Sequence, residues 1–245
     1  MVYFALHGIL TPSRIGGAKR GINPVSCRRA PSRNSGVPLG ALACLALFGC
    51  TPSNQDRKAE APAAAAKNEQ APDVFQVNLE TSKGTVAVEV HRDWAPIGVD
   101  HFYSLVKLGY YDGNRFFRVT RSYAQFGING DPKTSGLWSM SFVPDDPVKQ
   151  SNVKGTLTYA HLGANNRTTQ LFFNLRDNKD LDKAGFAPIG KITTGMDVVE
   201  GLYSSYGDVP PRGQGPDPSK IEVQGNSYLE SRFPRLDFIR RAAIR

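Results

Sequence analysis

The residues most able to do chemistry lie in two segments. Phe116-Phe117-Arg118-Val119 leads into Gln125-Phe126-Gly127-Ile128-Asn129-Gly130-Asp131-Pro132, and further along comes Thr169-Gln170-Leu171-Phe172-Phe173-Asn174-Leu175. Together they offer one guanidinium, one carboxamide and a wall of aromatic side chains. A guanidinium presents several donors in a rigid fork, and aromatic faces exclude water. Such a set, with no nucleophile among it, suits the holding of a polar group beside an apolar one better than the breaking of a bond. Taken one at a time these residues have plainer roles: Arg118 in a surface ion pair, Gln125 at a strand edge, Phe172 and Leu181 in a core.

Other reactive residues are sparse. His7, His91, His101 and His161 are scattered and show no metal-ligand spacing. Cys27, Cys44 and Cys50 all precede the central region, so that region forms no disulfide and no thiolate metal site. No metal and no cofactor is expected. The formal charge is +8 over 245 residues, but it is unevenly spread. Residues 1–49 carry +6, residues 50–72 are neutral, residues 73–230 carry −2, and residues 231–245 carry +4. A mildly acidic central region argues against nucleic-acid binding.

The elements that must position these groups are mostly strands. Phe75, Val77 and Leu79 alternate with polar residues, Lys83-Gly84 turns the chain, and Val86, Val88 and Val90 alternate again, which predicts a hairpin. After Trp94-Ala95-Pro96, the residues Val99, Phe102, Tyr103, Val106 and Leu108 recur at helical spacing up to Gly109. Short strands are expected at 116–119, 124–128, 155–161, 170–175 and 186–192, a second helix at 195–203, and a last strand near Ile221–Val223. Many short strands with two helices and no βαβ alternation predict a mainly β fold, a closed antiparallel barrel.

Val37 to Gly49 is an apolar run behind Arg28, Arg29 and Arg33, shorter than the roughly 20 residues of a membrane span. It ends in Leu47-Phe48-Gly49-Cys50, which resembles a bacterial lipobox. That resemblance implies lipidation of Cys50, removal of the preceding peptide, and an exported protein on the periplasmic side of a membrane, the outer one where present. The alternative is an ordinary secretory signal cut elsewhere. The expected domains are therefore an export segment (1–49, with a long lead suggesting an overlong gene start), the lipidated Cys50 with a flexible tether (50–72), a folded domain (73–230) and a basic C-terminal tail (231–245). The tether is rich in Ala, Pro, Lys and Glu and has almost nothing to bury.

Several ordered motifs resemble cyclophilin-type peptidyl-prolyl cis-trans isomerases. They are Val99-Asp100-His101-Phe102 with Gly109-Tyr110-Tyr111-Asp112-Gly113, then Phe117-Arg118-Val119, Gly155-Thr156-Leu157-Thr158-Tyr159-Ala160, Thr169-Gln170-Leu171-Phe172, and Gly185-Phe186-Ala187-Pro188-Ile189-Gly190-Lys191-Ile192 with Gly195-Met196-Asp197-Val198-Val199. The resemblance spans Phe75 to about Val223. It implies an eight-stranded barrel capped by two α-helices and isomerisation of X-Pro bonds in proline-containing polypeptides. Arg118 and Gln125 would be catalytic, with Tyr123, Phe172, Leu181 and Phe186 forming the proline pocket. Ala160, His161 and Gln170 would line the groove, the first two through backbone groups that hold the substrate as an added strand. A monomer is expected.

The chain departs from the family in places. The stretch from Arg118 to Gln125 is one residue shorter, with Tyr123 where a pocket Phe is usual. Asp180 stands at the position of a pocket tryptophan, and Phe186 at that of a groove histidine. These departures imply weak cyclosporin binding. They also keep open a second class of function, a catalytically weak, tethered binding or chaperone module. A solute-binding lipoprotein is disfavoured, since those have two α/β lobes.

Overall fold

A computed structural model describes residues 69–245. The first hairpin, β1 (Val74–Thr81) and β2 (Thr85–His91), pairs Val77 with Val88 and closes at Glu80 and Thr85. The alternation in its sequence is realised directly: Val77, Leu79, Val86, Val88 and Val90 are all fully buried. Helix α1 (Pro96–Lys107) starts with proline in its first turn and turns Val99, Phe102, Leu105 and Val106 into the same core. Then come β3 (Arg118–Val119), β4 (Tyr123–Phe126), α2 (Pro132–Ser139), β5 (Thr156–Tyr159), β6 (Leu171–Asn174), α3 (Asp180–Lys183), β7 (Pro188–Thr194), α4 (Met196–Glu200), α5 (Pro218–Arg232) and β8 (Ile239–Ile244).

All eight strands join one antiparallel sheet in the order β3-β4-β6-β5-β7-β2-β1-β8. The sheet curls around a core in which Phe102, Tyr111, Phe116, Phe126, Phe173, Leu157 and Tyr159 are buried. Where a closed barrel was expected, the ladder is open between β3 and β8. Among the described residues those edges meet around the isolated bridge of Arg115 with Phe238, flanked by Gly113 N–H to Ile239 O (2.8 Å), Ile239 N–H to Asn114 O (2.8 Å) and Phe116 N–H to Asp237 O (3.0 Å). With β3 only two residues long, the contact is too short to continue the ladder.

Two further expectations fail for local reasons. Ile221–Val223 is not a strand but part of α5. Asp217 caps that helix by accepting the Ser219 N–H (3.0 Å), Pro218 stands in its first turn, and the buried residues Ile221, Gly225 and Leu229 recur every four positions. Val223, the other half of the apparent alternation, is exposed. The helix breaks at Gly225 (φ +60°), where a Cβ would lie 2.1 Å from the Gly130 carbonyl oxygen. The segment 231–245, expected as a basic tail, instead carries β8. Its arginines are exposed, but Ile239 and Ala242 are buried, and the strand pairs with β1 from Val77 to Thr81. The net charge of the segment masks the apolar residues that stand between its arginines.

The fold also begins earlier than Asp73. Ala71 is buried and donates its N–H to Asp100 Oδ1 (2.9 Å), while Glu69 pairs with Lys107. Arg167, fully buried, pairs with Asp146 (2.9 Å), whose carboxylate accepts the N–H groups of Ile97 (3.0 Å) and Gly98 (2.8 Å) at the start of α1. This ties the chain ahead of β6 to the helix.

Candidate active site

Side chains alternate across a strand and directly paired residues share a face. In β4, Ala124 and Phe126 point into the core, so Tyr123 and Gln125 point away from it. In β6, Leu171 and Phe173 face the core and Phe172 faces out. The register pairs Arg118 with Gln125 and Gln125 with Phe172, so three neighbouring strands set the guanidinium, the carboxamide and the phenyl ring in one row.

The row is knitted by hydrogen bonds. Arg118 Nη1 donates to Gln125 Oε1 (3.2 Å), and Gln125 Nε2 donates to Gln170 Oε1 (2.9 Å). Arg118 Nη2 donates to the Tyr123 hydroxyl (2.5 Å), and the guanidinium carbon stands 4.6 Å from the Tyr123 ring centre. Arg118 Nε donates to Asp208 Oδ1 (2.5 Å). Both Arg118 and Gln125 are only 4 % exposed. Burial pushes the Tyr123 phenol upward, against the opposing pull of the Arg118 charge, so it keeps its proton at neutral pH.

Beside the row lies a small apolar cluster separate from the main core: Ala160, Phe172, Leu181 and Phe186, with Tyr123 packed against it. Phe172 meets Tyr123 edge-to-face at 5.8 Å and Phe186 at 6.0 Å. His161 stacks on Phe186 at 3.9 Å, and burial lowers its pKa, which favours the neutral ring. The cluster is braced from behind. Asn152 Nδ2 donates to the Phe186 carbonyl (2.8 Å) and to Asp182 Oδ1 (2.8 Å). Burial alone would raise the Asp182 pKa, but donors from Ser151 and Asn152 outweigh it and hold it low.

The structure thus brings together Arg118, Gln125, Tyr123, Ala160, His161, Gln170, Phe172, Leu181 and Phe186. One detail differs from expectation. The Ala160 N–H is taken by the Gln170 carbonyl (2.9 Å), because β5 and β6 pair there, so it does not offer itself to an added strand. Cys50 and the expected export segment lie outside the described residues. Nothing in the sequence marks Asp208. It lies in a Gly- and Pro-rich loop ninety residues from its partner, and only the fold joins them. Among the described residues no cluster of His, Cys, Asp and Glu is suited to hold a metal ion. A surface cavity lined by Trp94, Gln150, Ser151, Lys154 and Lys191 shares none of the site's side chains.

Comparison with known proteins bears on this arrangement. A family model described as cyclophilin type peptidyl-prolyl cis-trans isomerase matches residues 76–221. The chain is 33% identical over 131 residues to the peptidyl-prolyl cis-trans isomerase-like 1 of Rhizopus delemar, covering 51% of this chain and 78% of that one. It is 32% identical over 146 residues to a peptidyl-prolyl cis-trans isomerase of Acinetobacter baylyi, covering 54% and 75%. The crystal structure of a Cryptosporidium parvum cyclophilin type isomerase superposes with a TM-score of 0.51 at 19% identity, over 70% of this chain and 98% of that one, a likeness of fold.

Proposed function

The chain belongs to the cyclophilin-type peptidyl-prolyl cis-trans isomerase family, and we propose that Arg118 is the group through which it catalyses isomerisation. It is an isomerase acting on proline-containing polypeptides. An X-Pro amide resists rotation because resonance holds it planar, with a barrier of roughly 18–20 kcal/mol. In the twisted state the proline nitrogen becomes pyramidal and basic, so a donor aimed at it binds that state better than either planar form. Arg118 supplies the donor and Gln125 orients it or holds the peptide carbonyl. Phe172, Leu181, Phe186 and Tyr123 receive the proline ring, and the dryness they impose strengthens the guanidinium's field.

The observation that carries this reading is the row of Arg118, Gln125 and Phe172 beside a separate apolar cluster. Arg118→Ala should lower the rate on a short X-Pro peptide by the equivalent of about 2–4 kcal/mol, by analogy with the loss of an oxyanion-hole donor. A protease-coupled assay reads it, and a wild-type rate in that variant refutes the assignment. One feature favours a weaker, binding role: Asp208, Gln125 and Tyr123 already engage all three guanidinium nitrogens. The same assay on the wild-type domain separates the two.

We further propose that the enzyme is an exported, monomeric lipoprotein, with Cys50 as its first mature residue and the chain up to the fold as its tether. The apolar run before Cys50 supports this. At about 5–6 Å × √n, some twenty residues reach roughly 25 Å, enough to clear the headgroups. Proline isomerisation takes tens of seconds uncatalysed, so a tethered catalyst beside emerging chains is useful. Cys50→Ser should move the protein from the membrane to the soluble exported fraction; membrane retention of that variant, on fractionation, sinks the proposal.

A further inference from the structure

We infer that Asp208 is a positioning residue for Arg118, delivered to the site by the loop that follows α4. The inference rests on Arg118 being the isomerising donor. The carboxylate accepts from Nε at 2.5 Å, the guanidinium nitrogen nearest the backbone. Gln125 and Tyr123 bind the two outer nitrogens, and the Tyr123 ring lies against the guanidinium. A guanidinium is planar, so anchoring Nε while the ring limits tilt sets the direction in which the outer donors point. Orientation of a donor at this precision is worth a large factor in rate, and a displacement of about 1 Å can cost on the order of 100-fold.

Exposure separates this pair from an ordinary surface bridge. The Arg118 side chain is 4% exposed and that of Asp208 22%, so the charges meet where solvent screening is weak. Asp208 is itself held. Its Oδ1 also accepts the Val209 N–H (2.7 Å), and its carbonyl accepts the Gly215 N–H (2.9 Å). Gly213 packs on its backbone so closely that a Cβ there would sit 2.2 Å from the Asp208 carbonyl oxygen. The rest of the loop is pinned by Tyr206, which packs edge-to-face on Tyr203 (4.9 Å) and Phe233 (5.0 Å). The loop is therefore held at several points while it brings the Asp208 carboxylate to the guanidinium. In the shortened stretch between Arg118 and Gln125, the Tyr123 hydroxyl supplies the opposing hold.

The test compares Asp208→Ala, Asp208→Asn, Gly213→Ala, Arg118→Ala and the double Asp208→Ala/Arg118→Ala variant, by exchange spectroscopy on a short X-Pro peptide, with melting temperatures recorded. Asp208→Ala should lower the catalysed exchange rate at saturation by about 10- to 100-fold with peptide affinity little changed. Asp208→Asn keeps an oxygen acceptor for Nε and should recover at least part of the loss. Gly213→Ala shifts the carboxylate without deleting it and should reproduce the rate loss. In the Arg118→Ala background, Asp208→Ala should add nothing. Full activity of a folded Asp208→Ala variant overturns the inference, as do Asp208→Asn no better than Ala, Gly213→Ala at wild-type rate, and an equal further loss in the double variant. A wild-type rate in Arg118→Ala overturns the catalytic reading beneath it; full activity in Asp208→Ala alone leaves that reading standing.

Discussion

Arg118 carries a permanent-type charge group into a nearly dry site, and its neighbours decide how that site responds to pH. His161 is the titratable ring stacked on Phe186, and burial lowers its pKa below the ordinary 6.5. It therefore charges only as pH falls below that ordinary value. Burial raises Tyr123 above its ordinary 10.0, so the phenol stays protonated well into the alkaline range. No proton transfer is asked of any group, because the reaction breaks no bond. The rate should accordingly be almost flat between about pH 7 and 9, in contrast to a reaction that uses a histidine titrating near its unperturbed pKa of about 6.5. A bell-shaped profile centred near neutrality would make His161 an acid or base and displace Arg118 from its role.

The pocket is as firm as the elements behind it. Helix α3 presents Leu181 to the cluster of Ala160, Phe172 and Phe186, and Asp182 fastens it to the chain before β5 through Ser151 Oγ (2.5 Å) and the Asn152 N–H (2.8 Å). Because the folded-state pKa of Asp182 is depressed, its carboxylate contributes stability above the unfolded value of about 3.9 and loses it as pH falls through the folded value. Wild-type and Asp182→Asn proteins should therefore differ in melting temperature at pH 6 and converge toward pH 3. A gap that widens on acidification contradicts the sign. At the other side of the sheet, β8 covers β1 and buries Ile239 and Ala242. Loss of a buried Ile side chain alone costs about 2–5 kcal/mol, out of a net stability of roughly 5–15 kcal/mol. Deleting residues 239–245 should leave β1 as a bare edge and lower the melting temperature by about 4–20 °C, at ~2–4 °C per kcal/mol for a folded region of this size. An unchanged melt would return that segment to the status of a solvated tail.

Across the whole molecule, the parts legible in the sequence were those written in local pattern. The β1–β2 hairpin alternates with period two, α1 repeats apolar residues at helical spacing behind a proline, and the motifs around Arg118, Gln125 and Phe172 resemble one family in order and spacing. The hairpin and the helix depend on near neighbours, and the motifs on residue types in a fixed order along the chain, so neither needs the fold to be seen. Helix α5 was misread because Ile221 and Val223 mimic alternation, while the deciding period of four needs Gly225 and Leu229 as well. The strand β8 was hidden because arginines dominate its composition, and its apolar residues gain meaning only once β1 offers an unpaired edge. That the sheet remains open between β3 and β8 follows from how few residues meet there, a matter of register. The amino-acid sequence by itself determined the family, the hairpin, the first helix and which side chains are the candidates for the chemistry. The tertiary structure alone decided that Asp208 anchors the guanidinium and that the C-terminus joins the sheet, because both depend on contacts between residues ninety or more positions apart.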